Sequence, residues 1–186
     1  MRIISGKFKG KSISFLKNST TRPLKDSVKE NIFNILQHSN LIKMKIENAN
    51  ILDLYSGIGS FGLECISRGA KKVTFVERDN VAIKILKQNL SKLSINEQAK
   101  LCSERIENFL IKKNIEKYSV FFLDPPFADQ DFIQNLTLIK KNKIFESNHI
   151  VIIHREKKVI DNIDHCLNKL FTKSYGRSKI IFAKFN

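Results

Sequence analysis

The sequence predicts an α/β, Rossmann-like fold: a mostly parallel seven-stranded sheet, helices on both faces and one antiparallel edge strand. Three observations predict it. From residue 50 onward, short apolar runs alternate with amphipathic stretches, the pattern of strand–helix–strand units joined by right-handed crossovers. Gly57, Gly59 and Gly62 complete G-x-G-x-x-G where a strand would pass into a helix. Near the carboxyl end, two apolar runs flank Gly176-Arg177, which reads as a hairpin and brings antiparallel pairing to one edge.

In chain order, Arg2–Ser5 and Lys11–Phe15 are expected to form a hairpin around Gly6-Lys7-Phe8-Lys9-Gly10. A loop runs to Thr21-Arg22-Pro23, and Asp26 or Ser27 can cap a helix with Val28, Ile32, Ile35 and Leu36 on one face. Ile51–Leu54 is a strand, and Phe61–Arg68 a helix stopped by Gly69. Val73–Val76 is the second strand. A long helix starts near Asp79 with Val81, Ile85, Leu86, Leu90 and Leu93 as its apolar stripe. Ala99–Cys102 is a strand, and Ile106, Phe109 and Leu110 mark a short helix. Val120–Leu123 is a strand, Phe132–Lys140 a helix and Ile150–Ile153 another strand, before Leu170–Tyr175 and Ser178–Phe185. The 186 residues read as a single domain, 1–186, with an N-terminal hairpin and helix appendage (1–45) on a core of 46–186.

Composition narrows the partners. Lys+Arg 33 against Asp+Glu 18 gives a net charge of +15, a field suited to a polyanion. The first 29 residues carry Arg2, Lys7, Lys9, Lys11, Lys17, Arg22, Lys25 and Lys29 against Asp26 alone. That local asymmetry fits a nucleic-acid-facing arm better than uniform compositional drift. The longest apolar runs, such as Ile150–Ile153, are strand-sized, so no membrane span is expected. Met1–Lys7 lacks the apolar stretch of a signal peptide. Cys65, Cys102 and Cys166 are scattered and the four histidines have no ligand spacing; reduced thiols, no metal and a cytoplasmic setting are expected.

Two acids and a tetrapeptide carry the chemistry. Asp53 lies near the end of the first strand of the core, four residues before Gly57, and Glu77 lies at the end of the next strand, 20 residues after Gly57. Taken literally, this is a dinucleotide fingerprint. However, a carboxylate at Asp53 would repel a pyrophosphate and attract a sulfonium or α-ammonium. Asp124-Pro125-Pro126-Phe127 ends the apolar run of the fourth strand. It offers a carboxylate, stiff carbonyl acceptors and a phenyl face to an amine-bearing ring. In a doubly wound sheet the ends of the first, second and fourth strands meet at one crevice, so one ligand system should touch all three.

These residues together resemble the class I S-adenosylmethionine-dependent methyltransferases that act on exocyclic amines of bases. More narrowly, the chain resembles the RsmD family, bacterial 16S ribosomal RNA guanine-N2 methyltransferases. The likeness runs through Met1-Arg2-Ile3-Ile4-x-Gly6, Phe8-Lys9-Gly10, Thr21-Arg22-Pro23, Asp26-x-Val28-Lys29-Glu30, Asp53–Glu64, Ser67-Arg68-Gly69-Ala70, Val76-Glu77 and Asp124–Phe127. The resemblance implies S-adenosyl-L-methionine held by Asp53, Tyr55, Gly57, Gly59, Glu77, Ile106 and Asp124. It implies Asp124 and the Pro125 carbonyl on the target amine, Phe127 on the base, and Lys7, Lys9, Lys11 and Arg22 on RNA. The expected partner is 16S rRNA, free or within the small subunit, and the expected state a monomer. One departure stands out: Arg105 occupies the position where the family places an acceptor for the adenine amine, leaving Glu104 or the Ile106 backbone to read it. The alternatives are an adenine-N6 methyltransferase on DNA or RNA, an idle RNA-binding module and a nicotinamide oxidoreductase.

Overall fold

The computed structural model describes residues 1–15, 24–42 and 44–186. Its strands are β1 (Asn50–Leu54), β2 (Lys72–Glu77), β3 (Ala99–Ser103), β4 (Tyr118–Leu123), β5 (Phe145–Glu156), β6 (Leu167–Tyr175) and β7 (Ser178–Phe185). The helices are α1 (Asp26–His38), α2 (Ser60–Ser67), α3 (Asn80–Leu93), α4 (Ile106–Leu110) and α5 (Phe132–Asn142). The sheet order is β3-β2-β1-β4-β5-β7-β6. Pairs from β3 through β5 are parallel, and β7 pairs antiparallel with both β5 and β6. The antiparallel pairing thus sits at the expected edge, with β7 threaded between β5 and β6, which forms the rim. The order reverses between β1 and β4, the switch point where such sheets open a crevice.

Side-chain alternation divides the core into two layers. Ile51, Val120, Phe122, Ile150 and Ile152 face α1, α2 and α3, while Leu52, Phe121, Leu123, Val151 and Ile153 face α4 and α5. In the first layer Phe33 of α1, Phe61 of α2 and Phe122 of β4 stack, with centroids 5.2 Å and 4.0 Å apart. Gly62 lies flush against this layer. A Cβ there would fall 2.3 Å from the buried Phe75 ring and 2.8 Å from Val73. Alanine would gain about 1 kcal/mol of helix propensity against an overpacking cost of about 1–3 kcal/mol. The expected result of Gly62→Ala is a lowered thermal midpoint; an unchanged one would mean that α2 shifts freely on the sheet.

The N-terminal segment forms the expected hairpin in short form. Its two sides meet at one antiparallel bridge among the described residues, Arg2 with Ser12, closed by Ile3 N on the Lys11 carbonyl (3.0 Å) and Ile13 N on the Met1 carbonyl (3.1 Å), with Gly10 N on the Ile3 carbonyl (2.9 Å) at the turn. Backbone groups beside this pairing are held by side chains from the core. The buried Glu64 carboxylate accepts from Ile4 N (2.8 Å) and Ser5 N (3.0 Å), Ser67 Oγ from Phe8 N (2.9 Å), and Asn89 Oδ1 from Ser14 N (2.8 Å). Lys29, also fully buried, donates to the Arg2 carbonyl at 3.0 Å and lies 3.8 Å from Glu64. Gly6 permits the approach: its φ is +80°, and a Cβ would meet the Ser67 carbonyl at 1.8 Å. Ile3, Phe8 and Ile13 pack in the same apolar cluster as the sheet.

Two smaller differences have local causes. Asp26 is the first residue of α1 rather than its cap, and pairs with Lys29 at 3.6 Å. Asp79 does cap α3, accepting from Ala82 N. The buried stripe of that helix is Ala82, Ile83, Leu86, Asn89, Leu90 and Leu93. Val81 stays exposed, because the helix is turned to bring Asn89 to Ser14 and Ile58.

Candidate active site

A cavity of about 910 Å³ opens at the carboxyl ends of β1, β2 and β4. Asp53, Tyr55, Gly57, Glu77, Ile106, Asp124, Pro125 and Phe127 all line it, so strand ends far apart in sequence do meet. Its charge is opposite to that of the whole protein. Asp53, Glu77, Asp79, Glu104, Glu107, Asp124, Asp129 and Asp131 face Arg78 and Arg105, in a chain of net charge +15.

Asp53 is 1% exposed. Its Oδ2 accepts from Gly62 N at 3.0 Å, in the first turn of α2, while the buried Oδ1 has no partner among the described residues. Burial pushes this carboxyl well above its ordinary 3.8, opposed by the Gly62 N–H and reinforced by Asp124 and Glu77. A carboxyl raised in the folded state favours the fold below pH 3.8, and that contribution is lost as pH rises through the folded value. A cationic group beside Oδ1 would reverse the shift.

The glycine loop turns on positive φ at Tyr55 (56°), Gly57 (53°) and Gly59 (85°). At Gly57 nothing lies within 4 Å of a would-be Cβ, so its backbone borders open space. Gly59, expected to approach the ligand, does not line the cavity; its would-be Cβ lies 2.4 Å from Leu86 Cδ1. Its positive φ favours glycine, and the missing side chain lets Leu86 of α3 close on the loop. Glu77 clamps the turn: Oε2 accepts from Gly57 N (2.7 Å), and Oε1 from Arg78 N (2.8 Å) and Asp79 N (2.9 Å). A carboxylate has about four acceptor positions, so roughly one remains. Tyr55 accepts from Asn135 Nδ2 at 3.0 Å, and burial raises its hydroxyl's pKa.

Across the cavity, Asp124 Oδ1 receives the His154 ring Nδ1 at 2.8 Å. The Phe127 ring meets His154 edge-on at 5.7 Å and 76°. Arg155 is fully buried and donates to the carbonyls of Pro126 (3.0 Å) and Phe127 (3.1 Å). It also grips Asp161 at 2.9 Å and lies 4.5 Å over Phe132. Within Pro125-Pro126-Phe127, the Pro125 carbonyl is thereby the one left free of a hydrogen bond among the described residues. Glu104 pairs with Lys112, and Arg105 immediately precedes α4.

Sequence reasoning missed His154, Arg155 and Asp161. The available signal was a pair of polar residues ending the apolar run Ile150–Ile153. Lys7, Lys9 and Lys11 are exposed and do not line the cavity. Lys7 and Lys11 hold their ammonium groups 5.5 Å and 5.2 Å from the Phe8 ring. Arg22 lies outside the described residues.

This sheet order, with a reversed β7 and a crevice at the switch point, defines the Rossmann-like fold of class I methyltransferases. The ribosomal protein L11 methylase of Lactobacillus delbrueckii subsp. bulgaricus shares it, with a TM-score of 0.66 and 10% identity, over 83% of this chain and 76% of that one. The yhhF protein of Escherichia coli superimposes with a TM-score of 0.85 at 24% identity, over 100% of this chain and 98% of its own. The chain belongs to the family described as conserved hypothetical protein 95, the RsmD family, whose model matches residues 1–184. It is 36% identical over 159 residues to ribosomal RNA small subunit methyltransferase D of Haemophilus influenzae, covering 84% of this chain and 79% of that one. It is 33% identical over 172 residues to the protein of the same name in Buchnera aphidicola subsp. Baizongia pistaciae, covering 92% and 80%.

Proposed function

We propose that this protein methylates the exocyclic N2 amine of a guanine in 16S ribosomal RNA, with S-adenosyl-L-methionine as cofactor. The observation that carries the reading is the buried, half-unpartnered Asp53 carboxylate in an acidic cavity, opposite Asp124-Pro125-Pro126-Phe127. A pyrophosphate would be repelled there, whereas a sulfonium and an α-ammonium are attracted. When bound, the cofactor supplies an electrophilic methyl group. Asp53 Oδ1 is suited to the ammonium, the open backbone at Gly57 to the methionine part, and the remaining acceptor of Glu77 to a ribose hydroxyl. Tyr55 and Ile106 border the same ligand, with the Ile106 backbone reading adenine in place of a side chain at Arg105.

Guanine N2 is a weak nucleophile because its lone pair is delocalised into the ring. Asp124 and the Pro125 carbonyl accept its two N–H bonds, favouring a pyramidal nitrogen whose lone pair is free to react. Positioning supplies much of the acceleration, and Asp124 takes the proton that becomes acidic as the N–C bond forms. Extruding the base costs a few kcal/mol, of which stacking on Phe127 returns about 1–3 kcal/mol. Family relatives named for small-subunit ribosomal RNA support the choice of substrate.

Residues 1–45 serve as the RNA-facing arm of a single, monomeric, cytoplasmic unit with the core 46–186. Lys7, Lys9, Lys11 and Arg22 contact phosphates, which position the RNA without reading its sequence. Replacing Lys7, Lys9 and Lys11 by Gln should weaken RNA binding and flatten its salt dependence, by about 0.7 in log–log slope for each phosphate no longer neutralised. An unchanged slope would remove the arm from the interface.

At a pH below the raised value of the free Asp53 carboxyl, cofactor binding should release protons, because a cation beside it favours the ionised form. Calorimetry in buffers of different ionisation enthalpy reads this directly, and an Asp53→Asn variant should bind more weakly with no proton release. Transfer of labelled methyl groups to small ribosomal subunits tests the reaction itself. Label in the RNA is expected; NADH binding without transfer would overturn the reading.

A further inference from the structure

Resting on the reading above, we infer that His154 is a positioning residue, setting the Asp124 carboxylate and the Phe127 ring together for the incoming base. His154 is 8% exposed, near the end of β5, and lines the cavity. Its Nδ1 is 2.8 Å from Asp124 Oδ1, and its ring meets Phe127 edge-on at 5.7 Å. One side chain thus touches both groups assigned to the target base.

The chemistry fixes the ring's state. An ionised carboxylate can only accept, so Nδ1 must carry the proton. That bond commits Oδ1 and leaves Oδ2 for the amine. Without it, Asp124 could turn about its side-chain torsions, since His154 is the hydrogen-bond partner that holds its carboxylate among the described residues. The adjacent Arg155, which points to the opposite face of β5, holds the Pro126 and Phe127 carbonyls. Two consecutive residues of one strand therefore fix the side chains and the backbone of the same turn.

Two experiments test this, one independent of the reaction. Nitrogen-15 NMR of the imidazoles in the full-length protein at pH 8 should show His154 as the Nδ1–H tautomer. The Nε2–H tautomer would leave a bare nitrogen against a carboxylate and overturn the proposal. In single-turnover methyl transfer, His154→Leu should lower the rate by about 10- to 100-fold, with cofactor affinity held within about threefold. His154→Asn puts an amide donor near the Nδ1 position and should recover most of the rate. A wild-type rate in the Leu variant, or an Asn variant as slow as Leu with its cofactor affinity intact, would overturn the positioning role. Failure of the wild-type protein to methylate RNA would instead count against the proposed reaction, with the tautomer still deciding the role of His154.

Discussion

Asp124→Ala should lower methyl transfer by about 10²- to 10⁴-fold while leaving cofactor affinity within about threefold of wild type. Asp124 is the carboxylate of the turn that ends β4, half-buried rather than sealed, with one oxygen engaged by His154. The other oxygen is the acceptor for the target amine and the destination of its proton. The cofactor, by contrast, is assigned mainly to Asp53, Gly57 and Glu77 on β1, β2 and the loop between β1 and α2. Calorimetry on the variant separates the two roles. Loss of cofactor affinity in step with activity would mean that Asp124 belongs to the cofactor site instead.

Arg155→Leu should destabilise the fold by about 3–5 kcal/mol, the cost of stranding a buried charge. For a chain of this size, that lowers the thermal midpoint by about 6–20 °C. Arg155 and Asp161 have side chains 0% and 1% exposed, so neither can turn to water when its partner is removed. The guanidinium also satisfies two carbonyls of the turn and covers Phe132. The double variant Arg155→Leu/Asp161→Leu should regain part of the loss, since it removes the stranded carboxylate but leaves those carbonyls unpaired. A single variant within 1 kcal/mol of wild type, by thermal or denaturant unfolding, would show that water reaches Asp161.

The sequence made the parallel half of the sheet readable because β1, β4 and the middle of β5 are buried on both faces, which demands unbroken apolar runs. Periodicity served less well where polar side chains have structural partners far along the chain. The N-terminal strands were expected from alternation at Ile13 and Phe15; they pair at a single bridge, and Glu64, Ser67 and Asn89 hold the neighbouring backbone N–H groups of Ile4, Phe8 and Ser14. Similarly, β5 continues through buried His154 and Arg155, whose polarity argued for a strand end.

The site divides in the same way. Asp53, Glu77 and Asp124 were legible because each stands at or next to the carboxyl end of an apolar strand, and topology brings strands 1, 2 and 4 to one crevice. His154 and Arg155 were not, because their contacts with the turn lie 28 to 30 residues away and follow no local period. Gly59 shows the limit of a motif. The pattern specifies a glycine there, but the reasons lie in its φ of +85° and in Leu86 of α3 packed against it.

The most direct test of the central claim is the identity of the methylated nucleoside. Small ribosomal subunits lacking the modification would be incubated with the protein and labelled S-adenosyl-L-methionine, and the RNA digested to nucleosides for mass analysis. The account predicts N2-methylguanosine, lost with Asp124→Ala. N6-methyladenosine would contradict it, keeping the amine chemistry of Asp124-Pro125-Pro126-Phe127 but overturning the assigned base.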